Sequence, residues 1–250
     1  MAKTAFLLFA SYLALSSPAL AATDVPVTDD SAMETEDQAK DKPAPQAQEV
    51  FSTGVAKGRD RLDSATSTSA LRGNDVQKLG PRPLGEVLRT IAGLRVATGI
   101  GEGNNNYTVR GLPLAAGGSK YMQIQEDGLP VLEFADLFNV GADVYLRNDL
   151  SVAAIESIRG GSASTFASNS PGGLINILSR TGDVEGGSIQ LSTGLDYDEK
   201  RVDFSYGAKL GENTRFHIGG FYRSGEGPRN IGFDGWKGGQ IKANITHQFT

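Results

Sequence analysis

The sequence predicts a small α+β domain followed by antiparallel transmembrane β-barrel strands, about four of them, so that the barrel is incomplete. Three observations lead there. Short helical and strand-like segments alternate from Asp60 to about Thr181, the hydrophobic period then switches to two from Ser188 onward, and the chain opens on an export signal with no long apolar run after it. Glycine supplies 32 of the 250 residues without a collagen repeat, which suits turn-rich β structure.

The first 21 residues read as a signal peptide. Lys3 gives a basic start, Ala5 to Leu15 is apolar except at Ser11 and Tyr12, and Pro18 precedes the small-x-small cleavage pattern Ala19-Leu20-Ala21. The competing reading is an amino-terminal membrane anchor, for which the apolar run is short. Residues 22–48 are acidic, rich in Pro and Ala and poor in large apolar side chains, so this stretch is expected to be a disordered periplasmic arm. Residues 49–59 interrupt it. Glu49-Val50-Phe51-Ser52-Thr53-Gly54-Val55 is β-prone, and suits either strand addition to a partner's sheet edge or the first strand of the next domain.

Residues 60–182 form the α+β domain. Pro83 stands at a first helical position, Leu84, Val87, Leu88 and Ile91 follow at helical spacing, and Gly93 closes the helix. Leu94–Val96, Tyr107–Arg110, Met122–Gln125, Ile155–Arg159 and Leu174–Leu178 read as short strands, with Glu126-Asp127-Gly128 as a turn.

Residues 187–250 carry the barrel pattern. Val202, Phe204, Tyr206, Ala208 and Leu210 alternate with Arg201, Asp203, Ser205, Gly207 and Lys209. Ile189, Leu191 and Leu195 share one face, and Ile241, Ala243, Ile245 and Phe249 oppose Gln240, Lys242, Asn244 and Gln248. In the third strand Phe216, Ile218 and Tyr222 keep the pattern, whereas Phe221 falls on the polar side. The tight turn Gly211-Glu212-Asn213 and the long Gly225–Lys237 loop, which holds Trp236, fit short periplasmic turns and longer outer loops. A soluble sandwich with one wet face would show the same alternation with its apolar side turned inward.

Several function classes are disfavoured by composition. A net charge of −5 argues against nucleic acid as a partner, and the absence of cysteine removes disulfides, thiolate metal sites and Cys nucleophiles. No catalytic constellation stands out, so an enzyme is not expected, nor is a cofactor or a metal site. Gly99-Ile100-Gly101-Glu102-Gly103 lacks the spacing of a phosphate loop, and Gly160-Gly161-Ser162-Ala163-Ser164 lacks the closing glycine of a nucleophile elbow. Asp196, Asp198 and Glu199 read as a solvated loop, and His217 and His247 as lumen or rim residues.

Four motifs in order carry a resemblance: Tyr107-Thr108-Val109-Arg110-Gly111, Gln125-Glu126-Asp127-Gly128-Leu129-Pro130-Val131, Ile155–Ser164 and Gly172-Gly173-Leu174-Ile175-Asn176-Ile177. Together they resemble the plug-domain motifs of TonB-dependent outer-membrane receptors. The resemblance implies an α+β plug domain inside a barrel of about 22 strands. It implies an outer-membrane active transporter of a Gram-negative cell for a scarce ligand, most often a ferric siderophore, with the plug and the arm facing the periplasm. The implied partners are TonB and the inner-membrane energising complex, outer-membrane lipid and an extracellular small ligand.

By the same resemblance Glu49, Val50, Phe51, Ser52, Thr53, Gly54 and Val55 are the TonB-contact segment, although Phe51-Ser52 stands where two β-branched residues are common. The motif glycines Gly111, Gly128, Gly160, Gly172 and Gly173 are expected to permit turns packed against the barrel wall, with Asp127 in the same turn as Gly128. Arg110, Glu156 and Arg159 are expected to pair with lumen charges. Asn104, Asn105, Asn106 and Lys120 are expected to face ligand at the plug apices. Four strands cannot close such a barrel, so the chain reads as an amino-terminal fragment. The alternative is an exported plug-like ligand-binding module without transport.

Overall fold

A computed structural model describes residues 50–53, 59–60, 67–80, 83–98, 102–113, 120–132, 141–160, 163 and 166–249, all within one compact unit, Pro45–Thr250. The expected signal peptide, the arm, Glu49, Gly54 and Val55 lie outside the described residues, as does the glycine loop 99–101.

Two short strands come first, β1 (Val50–Phe51) and β2 (Arg59–Asp60), paired antiparallel with Val50 opposite Asp60. The plug domain follows as β3 (Ser67–Arg72), α1 (Gly73–Lys78), α2 (Leu84–Leu88), β4 (Leu94–Ala97), β5 (Asn106–Val109), β6 (Met122–Glu126), β7 (Leu129–Pro130), β8 (Val152–Arg159) and β9 (Gly173–Ser179). Its main sheet has the order β3-β8-β9-β6-β7, in which β6 and β9 run parallel and the other pairs antiparallel. The β4–β5 hairpin stands apart as a second sheet.

Why α2 is short is visible in its hydrogen bonds. Regular helix ends at Leu88, one turn before the expected stop at Gly93. Beyond it Thr90 and Ile91 donate to the carbonyls three residues back, Val87 and Leu88, which tightens the last turn into 3₁₀ geometry. Gly93 then takes φ +80, which permits the chain to reverse into β4. Pro83 is the N-cap, one position earlier than expected. Leu84, Val87, Leu88 and Ile91 all enter the core, against Ile124, Ile155, Ile175 and Tyr107. Two elements escape the sequence pattern. β3, Ser-Thr-Ser-Ala-Leu-Arg, is made of small hydroxyl-rich residues that carry no strand signal, and α1 has only Gly73 and Val76 buried.

After a short connection the chain forms β10 (Gly186–Thr193), β11 (Asp198–Lys209), β12 (Thr214–Gly227) and β13 (Gly238–His247), a four-stranded antiparallel meander. Its faces decide between the two readings of the alternating pattern. The apolar side is bare: Leu191 is 73% exposed and Ile245 74%. The polar side is covered by the plug, with Arg201 and Asp203 each 2% exposed. A soluble sandwich would bury the first set and wet the second, so the ribbon is built as a barrel wall with its apolar side outward. Among the described residues no helix is long and apolar enough to cross a membrane, which says nothing about strands.

Candidate functional site: the plug–wall seam and the amino-terminal dock

Arg201 anchors the seam. From β11 its guanidinium donates to both Asp203 carboxylate oxygens, at 2.8 and 2.7 Å, and to the Asn148 carbonyl of the plug at 2.7 Å. The same group lies 3.9 Å above the centre of the Phe221 ring. That contact explains the one break in the alternation. Phe221 stands opposite Asp203 on β12, turns to the lumen side, and supplies an aromatic face to a desolvated cation. Every hydrogen-bond demand of a buried arginine needs an answer, and here a carboxylate, a carbonyl and a ring share it.

Two further ties cross the seam. Glu102, near the plug apex, pairs with Arg223 of β12 and lies 3.7 Å from Arg147 of the plug. Arg223 in turn stacks 4.8 Å from the Trp236 ring in the long β12–β13 loop, and Trp236 meets Tyr197 edge to face. On the next strand Lys242 pairs with Glu126 at the end of β6, and Gln240 donates to the Tyr145 carbonyl at 3.4 Å. His217 is buried on the lumen side and shares a 2.8 Å hydrogen bond with Ser205. His247 is at the rim beside Thr214, at 2.7 Å.

These ties correct the expectation for the motif charges. Glu156 accepts hydrogen bonds from Ser52 and Thr53, ahead of the plug domain. Arg159 bonds Ser67 Oγ and the carbonyls of Ala92 and Thr68, all in the plug, because β8 is flanked by β3 and β9 and its ends face other plug segments. Arg110 is exposed and ends β5 in the left-handed region at φ 50. Among the described residues the ion pairs that cross the seam are Glu102 with Arg223 and Glu126 with Lys242, and of these four only Glu126 lies within a motif. Strand parity could have pointed to Lys242, which alternates with Ile241 and Ala243.

The motif glycines also differ from expectation. Asp127 and Gly128 have φ 51 and 84, the paired positive values of a type I′ hairpin turn, and the Asp127 carboxylate accepts the Ser179 N–H at 2.7 Å. Gly172 and Gly173 are needed for close approach within the plug. A Cβ on Gly172 would stand 2.8 Å from the Tyr121 carbonyl oxygen, and one on Gly173 2.8 Å from that of Ile158. The crowding comes from neighbouring plug strands, not from the barrel wall.

At the apex Asp143 is fully buried and accepts from the Asn104 and Asn105 backbone N–H groups (2.9 and 3.0 Å), from Asn105 Nδ2 and from the Tyr107 hydroxyl, both at 2.6 Å. Burial, and then the Asp143 charge, push the Tyr107 phenol far above its ordinary range, so it remains a donor. Asn105 is therefore turned inward and is not ligand-facing, a correction to the expectation. Asn104 accepts from the Gly141 N–H, Asn106 begins β5, and Lys120 is exposed with its ammonium 5.6 Å from the Tyr121 ring.

Two residues of the expected TonB-contact segment, Ser52 and Thr53, are bonded to Glu156 of β8. Its carboxylate accepts the Ser52 N–H at 3.1 and 3.2 Å, the Ser52 hydroxyl at 3.3 and 3.2 Å, the Thr53 N–H at 2.6 Å and the Thr53 hydroxyl. Asn176, opposite Glu156 in the β8–β9 register, donates to Thr53 Oγ1 at 3.1 Å. Among the described residues no cluster of three or more His, Asp or Glu could hold a metal ion.

A small mixed-sheet domain seated through ion pairs on the polar face of an outward-apolar antiparallel ribbon defines a plugged-barrel protein, a plug domain with the start of its barrel. Residues 60–174 match the family model "TonB-dependent Receptor Plug Domain", so this stretch is a plug domain of the TonB-dependent receptors. Solved structures share the fold. The siderophore receptor PirA from Acinetobacter baumannii is 18% identical with a TM-score of 0.57, over 80% of this chain and 31% of that one. The alcaligin outer-membrane receptor FauA from Bordetella pertussis is 19% identical with a TM-score of 0.55, over 71% and 30%. The ferripyoverdine receptor of the outer membrane of Pseudomonas aeruginosa, solved with ferripyoverdine bound, is 19% identical with a TM-score of 0.53, over 70% and 22%. The chain thus spans less than a third of the length of each.

Proposed function

We propose that this chain supplies the plug and the first wall strands of an outer-membrane receptor that imports a scarce ligand, a ferric siderophore by preference, with energy passed by TonB to the Glu49–Val55 segment. The observation that carries the reading is the two-faced ribbon: apolar side chains outward, buried charges inward against a plug. A chain that stops at ligand binding in water would leave Ile189, Leu191, Ile241 and Ile245 exposed to solvent for no return, whereas lipid makes the same surface favourable. The names of the structural neighbours support the ligand class. Residues 1–21 serve as the export signal and residues 22–48 as the periplasmic arm in this reading, with the plug and arm on the periplasmic side.

The test is uptake of radioactive iron by iron-starved cells expressing the receptor gene, intact or deleted for residues 49–55. The deletion is expected to abolish uptake that depends on the proton-motive force while leaving surface binding of the ferric chelate. Uptake at the intact rate would overturn the reading.

A further inference from the structure

Plug and wall touch in two ways. At Glu102 with Arg223, Glu126 with Lys242 and Gln240 with Tyr145, long side chains reach across the gap. Near the connection between the two parts the backbones themselves meet. Ser151 is buried against β12 where Gly219 stands, and a Cβ on Gly219 would run into the Ser151 Oγ. One on Gly207 of β11 would stand 3.0 Å from the Gly182 Cα and 3.0 Å from the Val184 carbonyl oxygen. Gly182, at φ +83, passes so close to the Phe216 carbonyl that no side chain would fit. Ser151 Oγ is buried without a hydrogen-bond partner among the described residues, so the fit is one of shape.

We propose that residues 148–151 and 180–184 form a fixed foot for the plug, seated in the notch that Gly207 and Gly219 open in the wall, and that the plug swings about this foot when the seam opens. The two glycines are diagonal neighbours across the β11–β12 pair, where Gly219 stands opposite Ser205 and Gly207 opposite His217. The two stretches of the foot act as one. The Arg180 N–H donates to the Ser151 carbonyl at 2.9 Å, beside the β8–β9 register that sets Val152 opposite Ser179. Arg201 donates to the Asn148 carbonyl at 2.7 Å, and Asp183 pairs with Arg215 at 2.8 Å. The foot needs neither a ligand nor an energy source, so it stands apart from the proposed import.

The two kinds of contact open differently. A tie made by a long side chain exchanges for water at modest net cost, and the chain turns aside by changing rotamer. A close-packed backbone contact has no such exchange. Lifting Ser151 from Gly219 leaves a void until the whole segment has moved far enough to admit water. The covalent connection adds a limit. β9 ends at Ser179 and β10 begins at Gly186, so residues 180–185 let the foot travel at most about 20 Å even when fully extended. The long side chains therefore release first. The end of the β8–β9 pair that carries Val152 and Ser179 stays in place, while the end that carries Arg159 and Gly173 moves.

The test uses the whole chain folded in detergent micelles. The sequence has no cysteine, so one introduced thiol reports alone. Ser151→Cys puts that thiol in the foot without breaking a hydrogen bond of the hydroxyl, and Asn148→Cys supplies a second probe there. Maleimide labelling is followed across a urea series beside two other signals. Trp236 emission reports on the Glu102–Arg223 tie, and the β-sheet circular dichroism band reports on the fold. Trp236 emission is expected to change first, with both thiols protected until the β band is lost. Gly219→Ala crowds the notch and is expected to raise labelling without urea by roughly tenfold, the scale of an overpacked contact, with the β band unchanged. Gly207→Ala should act in the same direction, and serves where Gly219→Ala does not fold. Thiol reactivity that appears with the Trp236 change or before it overturns the fixed foot. Protection that survives the glycine substitutions overturns the seat.

Discussion

Asp149 shows at the scale of one residue how burial turns into a pH dependence. It sits in the plug beside the seam, 7% exposed, with one oxygen accepting the Ser151 N–H at 2.8 Å. Burial raises its pKa above the ordinary carboxylate value of 3.8, and the Ser151 hydrogen bond and the Lys242 charge offset only part of that. The folded state therefore holds this proton more tightly than the unfolded chain does. Its contribution to stability is fully present below pH 3.8, declines as pH rises toward the raised folded value, and is constant above it. Asp149→Asn keeps the acceptor for Ser151 and removes the titration. The expected outcome is a flatter dependence of the urea midpoint on pH in the weakly acidic range, and an unchanged slope would show that the proton sits elsewhere.

Asp143 poses the opposite case, a buried carboxylate whose value is its donors. Asp143→Ala would strand the Tyr107 hydroxyl and the Asn104 and Asn105 N–H groups inside the apex. Leaving buried neutral donors without their acceptor costs about 1–3 kcal/mol for each group that water cannot reach. Urea denaturation should show that loss, and hydrogen exchange should show faster opening at Asn104 and Asn105 than in the sheet. A loss below 1 kcal/mol would mean that water already shares the site.

Among the elements, the strands were the most legible. Period-two alternation located β10 to β13 and fixed which face carries charge, because a one-residue slip would invert every side chain. The Phe221 exception could not be resolved from sequence, since an aromatic ring on a polar face acquires meaning only when Arg201, twenty residues away in the chain, stacks on it. In the plug, β4, β5, β6, β8 and β9 were readable from short stretches with apolar or β-branched residues, and α2 from its apolar spacing. β3 was not, because Ser67 to Ser69 offer no hydrophobic signal and gain their strand geometry only by pairing with Ser157 to Arg159. The dock of Ser52 and Thr53 was equally hidden: its partner lies 103 and 104 residues further on. The outward face of the ribbon carries a prediction of its own. Leu191→Arg places a cation where lipid is expected, and should destabilise the folded protein in bilayers by about 2–4 kcal/mol if the site is near mid-membrane. The same substitution in a soluble sheet with a solvated face would cost almost nothing, so a loss of that size separates the two environments.

At the scale of the whole molecule, the described residues join plug and wall by a few ion pairs and hydrogen bonds and not by a continuous apolar core. The hydrophobic cluster of the plug, centred on Leu84, Leu88, Ile124 and Ile175, contains no wall residue. Two bodies joined this way can separate without either unfolding, because replacing a polar seam by water costs far less than opening an apolar one. Glu102 is the informative tie, since it is shared by Arg147 of the plug and Arg223 of the wall, and Arg223 lies against Trp236, the single tryptophan of the sequence. Trp236 emission therefore reports on the seam, while the far-ultraviolet β signal reports on the ribbon and sheet together. Glu102→Gln removes the charge that holds two arginines near one another and leaves them to repel across a partly dry gap. The seam should weaken by about 1–3 kcal/mol, the penalty for an unsatisfied buried charge partner. In urea the Trp236 transition is then expected to move to lower concentration and to part from the β-sheet transition, which stays in place. If both transitions shift together, plug and wall unfold as one body and the seam is not the weak plane of the molecule.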